Sequence, residues 1–439
     1  MHFTTAKSHD VTQHILSNRV EVFTLKVVER IKKLKGARLI AMLGVIGPGI
    51  IAGNAGNDAG GIATYSIVGA REGYGLLWAL LLITFALAVV QEMSSRMGVV
   101  TGKGFGDLVR EQFGVKLTLA VMSLFIIANL TVTIAEFAGI AASMELFGVN
   151  KYISVPISAF IVWFVVLKGN FKQVERFLML ISLIYLTYVL SGFMASPPWQ
   201  EVAKQIALPH IKLDKDYFLL FITMVGTTIT PYMQFYLQSA VVDKGVRIEE
   251  YNFVRLDAYA GSIMTVFIAF FIVLATGTIL HPAGVVIDSA EDAARALEPL
   301  AGNFASLLFG IGLLNASFLA AFVLPLATAY GLSEAFGWES GINKSFREAP
   351  QFLGFYTAFI AIGAGLILIP NVPLIQIMFL SQTVNGILLP VVLVIMLQLI
   401  NNPEIMGDYV NSKRMNVIAW ITVAILILLT VMLLVTSFF

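Results

Sequence analysis

Gly53-Asn54-Ala55-Gly56-Asn57-Asp58-Ala59-Gly60-Gly61 interrupts an apolar run that spans roughly residues 39–69. Gly47-Pro48-Gly49 precedes it in the same run. Glycine is a poor helix former, and Asn and Asp side chains compete for the backbone groups a helix needs. The stretch therefore reads as a break in a helix. A second apolar run, 216–241, is broken at Gly226-Thr227-Thr228-Ile229-Thr230-Pro231-Tyr232. Discontinuous membrane helices of this kind place a binding site near the bilayer midplane, between the two breaks. A pair of Gly and Pro kinks is the plainer reading of each. The carboxylate of Asp58 inside the first break favours a site.

The rest of the chain supports a membrane setting. Of its 439 residues 58% are hydrophobic and 13% charged, and mean hydropathy is +0.85. A water-soluble domain carries about 25% charged residues. The apolar runs are about 20 residues long, the length of a helix crossing the hydrocarbon core. They do not alternate as barrel strands do. Eleven spans are expected, at 39–69, 75–97, 117–147, 152–170, 177–196, 216–241, 257–280, 303–336, 351–369, 374–400 and 415–438. The expected fold is all-α: a polytopic membrane protein of eleven transmembrane helices with helices one and six broken. The interruptions, five spans apart, suggest a 5+5 inverted repeat of the LeuT-like kind. Residues 39–196 would form the first repeat, 216–400 the second, and 415–438 an extra helix.

Lys and Arg set the expected orientation. With the N-terminus inside, the inner segments hold 22 of the 28 basic residues. The positive-inside rule then puts the N-terminus in the cytoplasm and the C-terminus outside, in a multi-pass protein of the cell membrane. The tail 1–38 carries eight of those residues. A stripe of Ile15, Val20, Phe23, Val27, Ile31 and Leu34 makes it either an interfacial amphipathic helix or a solvated tail. The acidic loop 285–301 reads as a solvated amphipathic helix.

A net charge of +1 points to no nucleic-acid partner, and the chain contains no cysteine. No nucleophile–base pair or His-rich metal motif falls within a span, so an enzyme is not expected, nor a cofactor. The lipid bilayer is the evident partner. Oligomeric state is left open, and a monomer suffices.

Asp58 is the focus of the chemistry. An ionisable group near the bilayer centre costs at least about 2.5–3.5 kcal/mol. No Lys or Arg occupies the second broken span or the middle of another, so the remaining compensation is a proton or a bound cation. The surrounding groups are hard oxygens and amides: Asn54, Asn57, Thr227, Thr228 and Thr230, with Gln382 and Asn385 from span ten. For any one of them, capping or packing is the alternative. Met233 is the one thioether close to the second break. Carboxylate, carbonyl and amide oxygens suit Mg2+ better than late transition metals. Glu136 is the other deep carboxylate, lining an ion or proton path or making a buried hydrogen bond. Glu92 and Arg96 read as an i,i+4 pair. Asp257 and Glu334, near the inner ends of spans seven and eight, read as snorkelling groups or as gating pairs with basic loop residues.

At these motifs the chain resembles the NRAMP family of divalent metal-ion transporters. Gly47-Pro48-Gly49-Ile50-Ile51-Ala52 and Asp58-Ala59-Gly60-Gly61-Ile62-Ala63-Thr64 are similar to that family's first helix, whose signature is Asp-Pro-Gly-Asn. Gln91 to Gly102 resembles the end of the second helix, and Ala135-Glu136 with Gly139 the third. Ser381-Gln382 and Pro390 resemble the tenth, and Asn411-Ser412-Lys413-Arg414 the loop before the eleventh. Ala59 and Gly61 depart from the signature. Thr230-Pro231-Tyr232 stands where the family has Met-Pro-His, and Thr133 where it has Asp.

This pattern resembles the NRAMP-related magnesium transporters. The resemblance implies that Asp58, the Ala55 carbonyl, Thr227 and Thr230 face the ion, and that Gln382 closes the site. It implies uptake of Mg2+, and of Mn2+ as well, by alternating access without proton coupling. The alternatives are a proton-coupled Mn2+/Fe2+ carrier of the NRAMP type, a sodium-coupled small-solute symporter and a passive cation channel.

Overall fold

The computed structural model describes residues 49, 53, 56–168, 180, 182–342 and 344–438. The tail, with its expected amphipathic helix, lies outside them, as do Asn54 and Ala55. Among the described residues the secondary structure is helical throughout.

The main helices are α1 (Ala59–Glu72), α2 (Leu77–Thr101), α3 (Phe105–Leu146), α4 (Lys151–Leu167), α5 (Leu186–Met194) and α6 (Trp199–Ala207). They continue as α7 (Lys215–Thr228), α8 (Pro231–Asp243), α9 (Tyr251–Ile279), α10 (Ala305–Phe336), α11 (Pro350–Ile367), α12 (Leu374–Ile400) and α13 (Lys413–Phe438). Eight helical stretches among the described residues are long and apolar enough to cross a membrane, with α7 and α8 taken together. Lys151–Leu167 and Leu183–Met194 are apolar but shorter. Eleven full-length spans are therefore not recovered, partly because most of the first lies outside the described residues.

Both breaks appear where the sequence interrupts. In the first, helix resumes at Ala59, so Ala59, Gly60 and Gly61 open α1 instead of extending the break. In the second, α7 ends at Thr228 and α8 begins at Pro231, with Ile229 and Thr230 extended between them. Pro231 fits at the first helical position, where its missing N–H would have no partner anyway.

The third span starts twelve residues earlier than expected, at Phe105 instead of 117. The charged stretch around Arg110 and Glu111 reads as loop but forms a helical extension. Gly114, at φ 71°, kinks it off from the membrane part. Only glycine adopts that conformation cheaply. The loop 285–301 contains the short helices Ala290–Ala294 and Glu298–Ala301.

The centre is assembled by packing onto α1 and α3. Helix α3 lies along α10 and α12, and α7 crosses α12. Helix α9 follows the first span closely. Gly49 N–H donates to Asp257 Oδ2 at 2.6 Å, the Asn57 amide to the Thr265 carbonyl at 3.4 Å, and the Tyr74 and Thr278 hydroxyls pair at 3.0 Å. The pairs advance in the same direction along both segments, so the first span and α9 run parallel.

Glu334 departs from its expectation, and Asp257 gains a backbone partner. Asp257 takes the Gly49 N–H. Glu334 accepts from the Gly106 N–H and from the Ser239 hydroxyl. Both carboxylates thus accept from backbone amides, Glu334 at the start of α3. Glu92 and Arg96 do pair, at 3.1 Å.

Candidate functional site

The first break positions Asp58 by helix capping. Asp58 is extended, at φ −67° and ψ −176°, and its Oδ1 accepts the Gly61 N–H at 2.6 Å. Its carbonyl starts the helix by accepting from Ile62 N at 2.9 Å. Glu136, from the middle of α3, accepts the Ala59 N–H through Oε2 at 3.3 Å. Two carboxylates therefore sit on the first turn of α1, where free N–H groups and the helix dipole favour negative charge. Asp58 is 1% exposed and Glu136 is fully buried. Among the described residues neither takes part in a salt bridge.

Helix α12 closes on this turn. Gln382 Nε2 lies 3.3 and 3.4 Å from the two carboxylate oxygens of Asp58. Asn385 orients it, donating to Gln382 Oε1 at 2.8 Å. The approach depends on close crossings. A β-carbon on Gly60 would stand 2.0 Å from Gln382 Nε2, and one on Gly226 would stand 2.2 Å from the Gln382 carbonyl oxygen.

The second break brings threonines. Thr228 has its hydroxyl engaged by the Met224 carbonyl at 2.7 Å and by Tyr65 at 2.9 Å. The Thr227 and Thr230 hydroxyl oxygens are buried and meet no partner at hydrogen-bonding geometry. Asn57 Oδ1, Glu136 Oε1 and Asn385 Oδ1 are in the same condition. A buried polar atom without a partner costs about 1–3 kcal/mol. Several close to one carboxylate call for a ligand that accepts electron pairs from oxygen, or for water.

The convergence can be located on Gly61. The point where its β-carbon would stand is 2.7 Å from the Gly56 carbonyl oxygen, 3.1 Å from Thr227 Oγ1 and 3.3 Å from Asp58 Oδ1. The face of Gly61 without a side chain thus opens on three oxygens from both broken spans. Met233 packs here with its methyl, 2.5 Å from the position of a Gly56 β-carbon, while Gln91 Nε2 lies 4.0 Å from its sulfur. Among the described residues no group of three or more His, Cys, Asp or Glu could hold a metal ion. The oxygens at the Gly61 face come from a carboxylate, a hydroxyl and a carbonyl, a hard set, while Gln382 turns its amide nitrogen to Asp58.

Of the residues singled out from sequence, the structure joins Asp58 and Gln382 directly and brings the Thr227 hydroxyl to the same face of Gly61. Glu136 meets them at the first turn of α1. Thr230 lies in the second break. Asn57 is held by two neighbours: its side-chain amide donates to Thr265 O, and its carbonyl accepts the Tyr185 hydroxyl at 3.3 Å. Asn54 and Ala55 lie outside the described residues. Sequence reading missed Tyr185 and the Gly56 carbonyl. A tyrosine in an apolar span and one glycine among many carry no local signal.

Comparison with known proteins is consistent across the chain. Divalent metal cation transporter MntH of Ralstonia nicotianae is 29% identical over 408 residues, covering 88% of this chain and 89% of its own length. Divalent metal cation transporter MntH of Bacillus subtilis is 24% identical, covering 92% and 95%. A crystal structure of the Eremococcus coleocola manganese transporter, bound to an aromatic bis-isothiourea compound, has the same fold. It matches with TM-score 0.75 at 20% identity, covering 90% of this chain and 86% of that one. The family model described as natural resistance-associated macrophage protein-like matches residues 49–436, so the chain belongs to the Nramp family.

Proposed function

We propose that this protein carries Mg2+, and Mn2+ as well, into the cell by alternating access between its two broken helices, without proton coupling. One observation carries the reading. The Asp58 carboxylate has no salt-bridge partner among the described residues, yet it shares the Gly61 face with the Thr227 hydroxyl and the Gly56 carbonyl. A divalent cation supplies the missing charge and takes up the unpartnered oxygens. Membership of the Nramp family, with relatives named as divalent metal cation transporters, supports metal transport and no enzymatic step. The ion is cargo, and no cofactor takes part.

The choice of Mg2+ rests on the hardness of the donors. Thr230 places a hydroxyl where a thioether would favour Mn2+ and Fe2+, and Met233 presents a methyl to Gly56. The proposed ion-facing set is Asp58, Thr227, Thr230 and Asn57, with Asn54 and the Ala55 carbonyl, outside the described residues, completing it; Gln382 joins it on turning its Oε1, which here accepts from Asn385, toward the ion. The proposed organisation is two inverted repeats, 39–196 and 216–400, with 415–438 added, the N-terminus cytoplasmic and the C-terminus outside. An inside-negative potential contributes about 2.3 kcal/mol per charge per 100 mV, twice that for a divalent ion.

A second reading is a proton-coupled Mn2+ carrier. Glu136 favours it, being buried beside Asp58 with Oε1 unpartnered. Flux into proteoliposomes with a panel of Mg2+, Mn2+, Fe2+ and Ca2+ tests the assignment. Mg2+ should enter and compete with Mn2+. Mn2+ flux that Mg2+ leaves untouched would favour the second reading.

A further inference from the structure

The carbonyl groups of the first break can be followed one at a time. Backbone polar groups at membrane depth need partners inside the protein. The Gly53 carbonyl takes the Gly56 N–H at 2.9 Å, and the Asp58 carbonyl takes the Ile62 N–H at 2.9 Å. The Gly56 carbonyl lies on the Gly61 face beside Asp58 and Thr227. The Asn57 carbonyl, immediately before Asp58, instead accepts the Tyr185 hydroxyl at 3.3 Å. We propose that Tyr185 is a positioning residue of the ion site, fixing the peptide ahead of Asp58 by holding the Asn57 carbonyl. This rests on the ion-site reading above.

Tyr185 is suited to that role by where it comes from. It closes the 3-10 turn Ser182–Tyr185 at the head of α5, an element separate from both breaks. The turn packs on α10, and α5 packs on α9. Its ring is fully buried. The Asn57 side chain is held from a second direction by the Thr265 carbonyl of α9. Unbroken neighbours thus hold both ends of Asn57. An unwound peptide has no helical hydrogen bonds of its own to set its plane, so these bonds set it. The bond commits the Asn57 carbonyl to the fifth span. Among the described residues, the Gly56 carbonyl, one peptide earlier, stays on the Asp58 side.

The test is Tyr185→Phe in proteoliposomes, with Mg2+ as the transported ion. The substitution removes one hydroxyl and keeps the buried ring. A control removes the same chemistry elsewhere: the buried Tyr356 hydroxyl donates to the Val162 carbonyl at 2.9 Å, between α11 and α4. A lost hydrogen bond of this kind is worth roughly a two- to tenfold change in an equilibrium constant. Tyr185→Phe should raise the KM for Mg2+ about fivefold, with maximal flux falling by less than about twofold. Tyr356→Phe should leave KM unchanged, even where it lowers thermal stability as much. Equal KM changes in the two variants would mean a merely structural role and overturn the proposal. So would a KM for Tyr185→Phe at or below that of the unmodified protein. Failure of the unmodified protein itself to move Mg2+ would instead defeat the ion-site reading.

Discussion

Gln382 reaches across from α12 to both carboxylate oxygens of Asp58, at 3.3 and 3.4 Å, through the space that Gly60 leaves open. The contact ties the helix bearing Gln382 to the first turn after the break. It also makes Gly60 a sensitive position. An alanine there would put its β-carbon against the flexible end of Gln382, not against backbone. Gln382 can swing aside, and alanine gains about 1 kcal/mol of helix propensity over glycine. Gly60→Ala should therefore leave the melting temperature nearly unchanged while raising the KM for Mg2+ several-fold. Loss of folding with KM unchanged would contradict this account.

Asp58 has two duties, and one substitution separates them. As N-cap it needs an acceptor for the Gly61 N–H, which asparagine supplies about as well. As the charge in the site it needs a carboxylate. Asp58→Asn should keep expression and thermal stability but reduce Mg2+ flux to background. Asp58→Ala should lose flux and also about 1 kcal/mol of stability from the missing cap. Flux retained by Asp58→Asn would remove the charge from the mechanism.

Thr230 decides the preference among ions in this reading. Its hydroxyl oxygen is buried and meets no partner at hydrogen-bonding geometry. Replacing it by methionine brings a soft sulfur to the second break, and sulfur favours Mn2+ over Mg2+. Thr230→Met should shift the ratio of Mn2+ to Mg2+ transport efficiency by about tenfold toward Mn2+. The two efficiencies measured in the same vesicles check it, and an unchanged ratio would refute the role of Thr230.

The legible parts of this protein are those with a local cause. Gly-Asn-Asp and Thr-Pro clusters inside apolar runs mark both breaks, because they disturb a helix whatever surrounds it. Asp58 stands out because a carboxylate inside a span needs compensation. The start of α3 was not legible, since the charged stretch before Gly114 looks like loop until the kink is seen. Asp257 and Glu334 were read by proximity to basic loops, but they serve amides at Gly49 and Gly106, which only the assembled helices bring near. Tyr185 and the Gly56 carbonyl belong to the same class. Their roles depend on partners 128 positions away for Tyr185 and across the second break for Gly56.

Toward the end of α2, the Glu92–Arg96 pair is the centre of a buried knot. Arg96 donates to the Tyr409 and Val410 carbonyls at 3.0 and 3.2 Å and to the Asn411 side chain, while Tyr251 donates to Glu92. The knot ties α2 and α9 to the segment between α12 and α13. Removing one member of a buried pair leaves a charge uncompensated, at about 3–5 kcal/mol. Arg96→Ala should lower stability by that order, and adding Glu92→Gln should recover part of it. The exposed Lys103–Glu111 pair, with side chains 45% and 48% accessible, should cost about 0–1 kcal/mol when Lys103→Ala breaks it. Thermal unfolding in detergent compares them.

Proton coupling is the point on which the two readings of the site divide. A coupled carrier needs a relay of titratable groups leading away from the ion. Glu136 is one such group, beside Asp58. One turn earlier on α3, Thr133 offers only a hydroxyl, and that donates to the Asn129 carbonyl at 2.8 Å. At the second break, Tyr232 stands where a histidine would titrate near neutral pH, and a tyrosine does not. On the uncoupled reading, neither Thr133 nor Tyr232 supplies the next station beside Glu136. The membrane potential alone supplies about 4.6 kcal/mol per 100 mV for a divalent ion, equivalent to roughly a thousandfold accumulation. Vesicles holding an inside-negative potassium diffusion potential, with a pH dye inside, should accumulate Mg2+ without acidifying. Collapsing a proton gradient while the potential is held should leave that accumulation in place, and collapsing the potential should abolish it. Acidification in step with Mg2+ entry would show that Glu136 works as a proton site and that the uncoupled reading is wrong.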